Sequence, residues 1–217
     1  MIHIENTAVS GWEAAIRGMR NPLNSWERSD TTYNTCSDTP NIGPNDMKLM
    51  QNLCKAGSEH RKFLRYLTVT FDITAPIVFF QQLDTYKIGT VRNSTSKMHK
   101  LLHKEFDESD FACEELPDEA KGVLLVVIDT LNCWRKRYLA LPDEKVMEKK
   151  ALWESILRIL PESYCQKSTM LVNYEVLRSI YRQRKGHKLK EWASLLNWIE
   201  SLPYADKLII GEECYES

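Results

Sequence analysis

The stretch LTVTFDI, residues 67–73, constrains the fold more than any other part of the chain. Leu67, Val69, Phe71 and Ile73 alternate with Thr68, Thr70 and Asp72. A period of two puts the apolar set on one face of a strand, and β-branched and aromatic residues favour that conformation. The spacing predicts a strand within residues 63–73, with Glu59-His60 ahead of it, and Ile2–Ile4 reads as the start of another short strand. A strand with one apolar face needs paired strands and a covering layer.

That layer is predicted to be helical. Pro76 stands where a first helical turn tolerates proline, ahead of IVFFQQL. Asn45 or Asp46 is placed to cap a helix running to about residue 56, with Met47, Leu49, Met50 and Leu53 as its apolar face and Gly57 as its stop. Ser94 or Thr95 is placed to cap another, running to about residue 106. Pro-Asp-Glu opens two longer helical stretches, 118–141 and 142–160. Residues 172–184 and 187–202 read as two helices hinged at Lys185-Gly186. Residues 21–44 form a long polar loop, of a length that is often functional or mobile. Residues 107–117 are an acidic loop, and LPESYCQKST is a break. The class is α+β, mostly helical with a small sheet. At 217 residues the chain suffices for one large domain or a tight pair.

A hydrophobic content of 43% supports a real core, and a formal net charge of −1 gives no general attraction to nucleic acid or membrane. No apolar run reaches the ~18 residues of a spanning helix. The opening MIHIENTAVSGW shows no basic-then-apolar leader, so a cytoplasmic location is expected. The six cysteines, Cys36, Cys54, Cys113, Cys133, Cys165 and Cys214, form no CxxC pair. They read as reduced thiols, with no metal site and no disulfide frame.

Any anion site must therefore come from local clustering. Between Asp84 and Lys104 a single acid, Asp84, accompanies Lys87, Arg92, Lys97, Lys100 and Lys104. Between Val176 and Lys190 there is no acid, against Arg178, Arg182, Arg184, Lys185, Lys188 and Lys190. On a helix beginning near Asn173, residues 173, 177, 180 and 184 share one face, so Asn173 and Arg184 bracket Leu177 and Ile180. That arrangement suits a ligand that is part ring and part anion. It equally suits two polar residues snorkelling at the ends of a buried stripe. A helix start at Ser94–Ser96 offers free N–H groups to an anion, or is an ordinary cap beside solvated lysines.

Taken in order, these segments resemble the flavin-dependent thymidylate synthases. That family carries a signature RHRxxSxNxxSxRY, with a Gln before it and a Glu-His pair opening a strand upstream. Here Glu59-His60 and Gln82 stand in those places, and Thr85-Tyr86-Lys87 replaces Arg-His-Arg. Thr90 falls at the first Ser, Asn93 and Ser96 fall one place beyond their counterparts, and Met98-His99 replaces the closing Arg-Tyr. Downstream, Leu160-Pro161, Ser168-Thr169, Asn173 and Arg184 keep the family spacing, while Glu175 replaces a family Arg. Lys for Arg keeps the charge and loses the bidentate fork, and Thr for Arg loses the charge. The pattern is that of a divergent branch, phage-like or of altered substrate.

The resemblance implies a single domain over residues 1–217 that assembles as a homotetramer. It implies conversion of dUMP to dTMP with bound FAD, methylenetetrahydrofolate as one-carbon donor and NADPH as reductant. Related alkylation such as hydroxymethylation, or an inactive nucleotide-binding relative, are the alternatives. By the same resemblance Arg184 activates the pyrimidine and contacts the substrate, His60, Tyr86, Lys87, Asn93 and Asn173 contact the flavin, and Gln82, Ser96 and Lys97 hold the nucleotide. No metal, membrane or nucleic acid is implied.

Overall fold

The structure, a computed structural model, describes residues 2–211. Cys214 lies outside the described residues. Four strands form one small sheet in the order β1-β2-β4-β3: β1 is His3–Ser10, β2 Thr68–Pro76, β3 Val91–Ser94 and β4 Cys165–Asn173. Nine α-helices occur among the described residues: α1 (Trp12–Arg20), α2 (Pro44–Lys55), α3 (Ile77–Leu83), α4 (Lys97–Lys100), α5 (Asp118–Ala140), α6 (Val146–Ile159), α7 (Tyr174–Arg184), α8 (Lys190–Glu200) and α9 (Ala205–Leu208). The class is the α+β one expected.

The register is antiparallel. Asn6 donates to Asp72 and Ser10 meets Thr68, so β1 and β2 run opposite ways. Thr169 donates to Asp72 at 2.6 Å, and the Tyr174 N–H reaches the Leu67 carbonyl at 3.0 Å, which sets β4 against β2. Val69, Phe71 and Ile73 are buried, as the alternation requires.

The chain divides into two compact units. One comprises residues 74–83 and 94–168. Its core gathers Leu101, Phe106 and Phe111 with Leu124, Ile128 and Leu131 of α5 and Ile156 of α6. Asn132 on α5 clamps the Phe106 backbone, accepting from its N–H at 2.9 Å and donating to its carbonyl at 2.8 Å.

The other unit comprises residues 2–73, 84–93 and 169 onward. Its core joins the buried face of β2 to Trp12, Met50, Tyr174, Leu177, Trp192 and Ile199. Gly11 turns β1 into α1 with φ +91°, where a Cβ would stand 1.9 Å from the Tyr66 carbonyl oxygen. Beneath α1, Arg20 and Asp46 form a buried ion pair, with Nε to Oδ1 at 2.7 Å. The second Asp46 oxygen accepts from the hydroxyls of Ser29 and Thr31, both at 2.7 Å, and from the N–H groups of Asp30 and Thr31. Asp30 returns the favour, accepting from the Asn45 and Asp46 N–H groups at the start of α2. This exchange satisfies free N–H groups at a helix start.

Several expected elements differ. The strand begins at Thr68, because residues 61–65 form a 3-10 turn; Glu59-His60 therefore does not open it, and the pair just ahead of the strand is Tyr66-Leu67. α2 starts at Pro44, with Gly43 rather than Asn45 or Asp46 at its cap. The helix expected from Ser94 is one turn, α4, because Ser94 belongs to β3 and the Thr95 N–H pairs with the Lys167 carbonyl. The break before residue 172 contains β4, and α7 begins only at Tyr174. The loop 21–44 holds two 3-10 turns, Asn21–Leu23 and Trp26–Arg28.

Burial alone would raise the Asp46 pKa, but hydrogen bonds from Thr31, Ser29 and Arg20 outweigh it and hold the carboxyl below its ordinary value. A depressed folded pKa contributes stability above the unfolded value, about 3.9, and that contribution is lost as pH falls through the folded one. Asp46→Ala leaves Arg20 buried and unpaired, a change that costs about 3–5 kcal/mol. Denaturant titrations should show that loss near neutral pH, and it should shrink as pH is lowered below about 4.

Candidate active site

The site residues follow from where β4 ends. Asn173 is still extended, with φ −120° and ψ 164°, and it caps α7 by accepting the Val176 N–H at 3.0 Å. Leu67 of the β2 approach is fixed to Tyr174 by the backbone bond already described, so Arg65 comes to the same place. Together with residues 85–88 and one face of α7 they enclose a cavity of 420 Å³. Its wall includes Arg65, Tyr86, Lys87 and Asn173, with Val176, Ser179 and Gln183 from α7.

Gly89 closes the turn with φ +72°, and a Cβ there would stand 2.6 Å from the Asn173 side-chain nitrogen. The loop therefore presses its backbone against the Asn173 amide, which glycine alone permits without strain. The turn is braced at its base by an Arg92–Asp84 ion pair of 2.8 Å, so Arg92, counted above among the cations, has a carboxylate partner.

Arg184 is absent from the cavity wall and stands behind it. Its Nε donates to the Tyr86 hydroxyl at 2.9 Å, and that hydroxyl donates to Gln183 Oε1 at 3.0 Å. The guanidinium lies 4.5 Å from the Trp192 ring centroid and 5.5 Å from that of Tyr86. Cation–π contacts of this kind contribute roughly 0.5–2 kcal/mol and fix the plane of the group. No carboxylate pairs with Arg184 among the described residues.

The electrostatic balance favours an anion. The one carboxylate on the wall, Glu175, has both oxygens 3.0 Å from Arg61 Nε, which offsets its charge. Arg65 and Lys87 remain as wall cations. In the same turn, the Thr90 hydroxyl oxygen is buried with no hydrogen-bond partner among the described residues. Of the acid-free cations, Arg178 is structural: it is buried and donates to the carbonyls of Leu208, Ile209 and Gly211.

The structure thus brings together Tyr86, Lys87, Asn173 and Arg184. Asn93 is exposed on β3. His60 is exposed too, on the wall of a separate 900 Å³ cavity with residues of α1 and α2. Gln82, on α3, and Ser96 and Lys97, around α4, belong to the first unit. The predicted face 173-177-180-184 is largely a core stripe, since Leu177 and Ile180 are each 1% exposed. The cavity sees the adjacent face, Val176, Ser179 and Gln183. Arg65 and Trp192 were missed. The signal available for Arg65 was its place just before the alternating strand. Burial pushes the Cys54 and Cys165 thiols up to about 11, so both stay protonated near neutral pH.

Asn173 has two separable tasks. Asn173→Ala should cost about 1 kcal/mol through the lost cap, whereas Asn173→Asp, which still accepts from Val176, should stay close to wild type. Chemical denaturation of the two variants measures the difference.

No family model matches the sequence, and no curated protein matches it. Solved structures do resemble it in fold. One is the flavin-dependent thymidylate synthase ThyX from Helicobacter pylori complexed with FAD and dUMP, with TM-score 0.66 and 18% identity, covering 95% of this chain and 97% of that one. A second structure of Thymidylate Synthase X (ThyX) from Helicobacter pylori with FAD and dUMP gives TM-score 0.72 and 17% identity, covering 96% of this chain and 97% of that one. At these identities the likeness is one of fold.

Proposed function

We propose that the protein is a flavin-dependent enzyme that methylates dUMP to dTMP, with methylenetetrahydrofolate as one-carbon donor, NADPH as reductant and a homotetramer as its assembly. The observation that carries this reading is the Arg184–Tyr86–Gln183 chain set behind a cationic cavity, on a fold shared with synthases solved with FAD and dUMP.

The residues present fit a flavin nucleotide. A volume of 420 Å³ lies within the ~300–1,000 Å³ usual for ligand pockets. Arg65 and Lys87 suit its phosphates, the Asn173 amide and Tyr86 ring suit its heterocycle, and the glycine turn lets backbone approach closely. Bound there, the flavin supplies the hydride chemistry.

The chain's own task is to make C5 of the uracil nucleophilic. Negative charge must develop on the ring and its carbonyl oxygen, and a fixed cation beside that oxygen stabilises it. Arg184 serves as that cation. Its Nε is committed to Tyr86 and its plane to Trp192, so the terminal nitrogens are held in place to donate. Preorganisation of this kind avoids reorientation at the moment of reaction. Hydroxymethylation of the same nucleotide is the second reading, favoured by Thr85, whose hydroxyl cannot replace a guanidinium on a phosphate.

Complementation of a thymidine auxotroph tests the proposal directly, and failure with a flavin-loaded, folded protein moves the assignment to the second reading. A colourless protein whose melting temperature FAD does not shift would remove both. Arg184→Ala should lower turnover about 100-fold or more while flavin absorbance is retained; near-normal activity would remove Arg184 from its role.

A further inference from the structure

The hinge between α7 and α8 carries a titratable group that the proposed chemistry leaves unused. Lys185 ends α7 in extended backbone, with φ −61° and ψ 124°, and Gly186 follows in the left-handed region with φ +73°. After this turn the chain comes back to Arg184, whose guanidinium meets the Trp192 ring.

Four contacts close a ring on Arg184. The His187 N–H donates to the Arg184 carbonyl at 3.0 Å. The Leu189 N–H donates to His187 Nδ1 at 3.1 Å. The Trp192 N–H donates to the Leu189 carbonyl at 3.2 Å. The Arg184 guanidinium, 4.5 Å from the Trp192 ring centroid, completes the circuit. The buried Trp192 ring is also edge-on to the His187 imidazole, with centroids 5.9 Å apart.

Of the three hydrogen bonds, two join backbone groups. The third depends on a side chain of the type that changes charge between about pH 5 and 8. To accept, Nδ1 must present its lone pair, so this imidazole is neutral. An imidazolium carries a proton on both nitrogens and cannot accept from Leu189. Leu189 provides no side-chain cap for α8, and the imidazole anchors its backbone instead. The charged groups within residues 184–192 are Arg184, Lys185, Lys188 and Lys190, with Glu191 as the one carboxylate. Across the Trp192 ring stands the Tyr86 phenol, 6.3 Å between centroids.

We propose that His187 is a positioning residue for Arg184: its neutral imidazole closes the ring that holds Trp192 against the guanidinium, and protonation of that imidazole opens it. The role of Arg184 rests on the function proposed above, whereas its fixation by His187 stands on the geometry.

Wild type, His187→Ala and His187→Asn test this, each checked for folding by its melting curve. Asparagine accepts from the N–H two residues on, as in an Asx turn, and does not titrate. The first readout needs no turnover. Labelling of Arg184 by phenylglyoxal at one mildly alkaline pH, followed by peptide mass spectrometry, should be about 2- to 10-fold faster in His187→Ala, the equilibrium effect of one hydrogen bond. His187→Asn should restore the wild-type rate. Equal rates in wild type and His187→Ala, or an Asn variant that labels as fast as the Ala variant, would overturn the proposal. The second readout is the pH profile of dUMP turnover. Between about pH 8 and 5 wild-type turnover should fall more steeply than that of His187→Asn; coincident profiles would also overturn it. Labelling in the expected order, in a flavin-loaded protein without turnover of dUMP, would uphold the role of His187 and remove the function proposed for the site.

Discussion

One backbone hydrogen bond, from the Tyr174 N–H to the Leu67 carbonyl, sets the geometry on which the candidate site depends. It ends the pairing of β2 with β4 at the residue where the chain turns into α7. Extended backbone before it and helix after it leave Asn173 at a cap, with its amide toward the glycine turn. The same bond fixes the approach of residues 65–67, and so brings Arg65 to the cavity. Tyr174 is itself held at its far end, its hydroxyl donating to the Pro203 carbonyl at 2.8 Å and its ring edge-on to Trp12. A slip of one residue between these strands would turn every side chain of β4 to the opposite face and dismantle the site.

The division of labour among the cations follows from burial. Arg178 ties down the carbonyls that end α9, Arg61 offsets Glu175, and Arg20 holds the loop before α2. These are framework charges. Arg184 differs because its partners are a phenol and an indole ring rather than a carboxylate. A guanidinium stacked but not neutralised keeps its field for a ligand.

How much was legible in the sequence depended on which physical signal wrote it. The β2 alternation could be read because its inward positions, Val69, Phe71 and Ile73, are all apolar. β4 was hidden because two of its inward positions are Gln166 and Ser168, both buried, and Gln166 is satisfied by donating to the Thr95 carbonyl. Hydrophobic periodicity cannot register a buried polar residue whose partner is distant in sequence. The same tertiary pairing overrode the helix expected after Ser94. Asn173 and Arg184 do not share one helical face, since Asn173 precedes the helix as its cap. Trp192 offered no local sign of its role, because a ring stacked on an arginine looks in sequence like any core tryptophan.

The reciprocal caps of Asp30 and Asp46 tie a long loop to a helix start. Because each carboxylate holds the backbone of the other's segment, residues 29–31 and the first turn of α2 open or close together. The long polar loop is in this respect part of the rigid frame, in spite of its composition. Beside the cavity, residues 85–89 are mostly exposed and are held by the Arg92–Asp84 pair at the base of the turn and by the Tyr86 hydroxyl. Releasing that hydroxyl from Arg184 would loosen the turn and leave the guanidinium unheld in a single step, so the bond that closes the turn is also the one that fixes the cation.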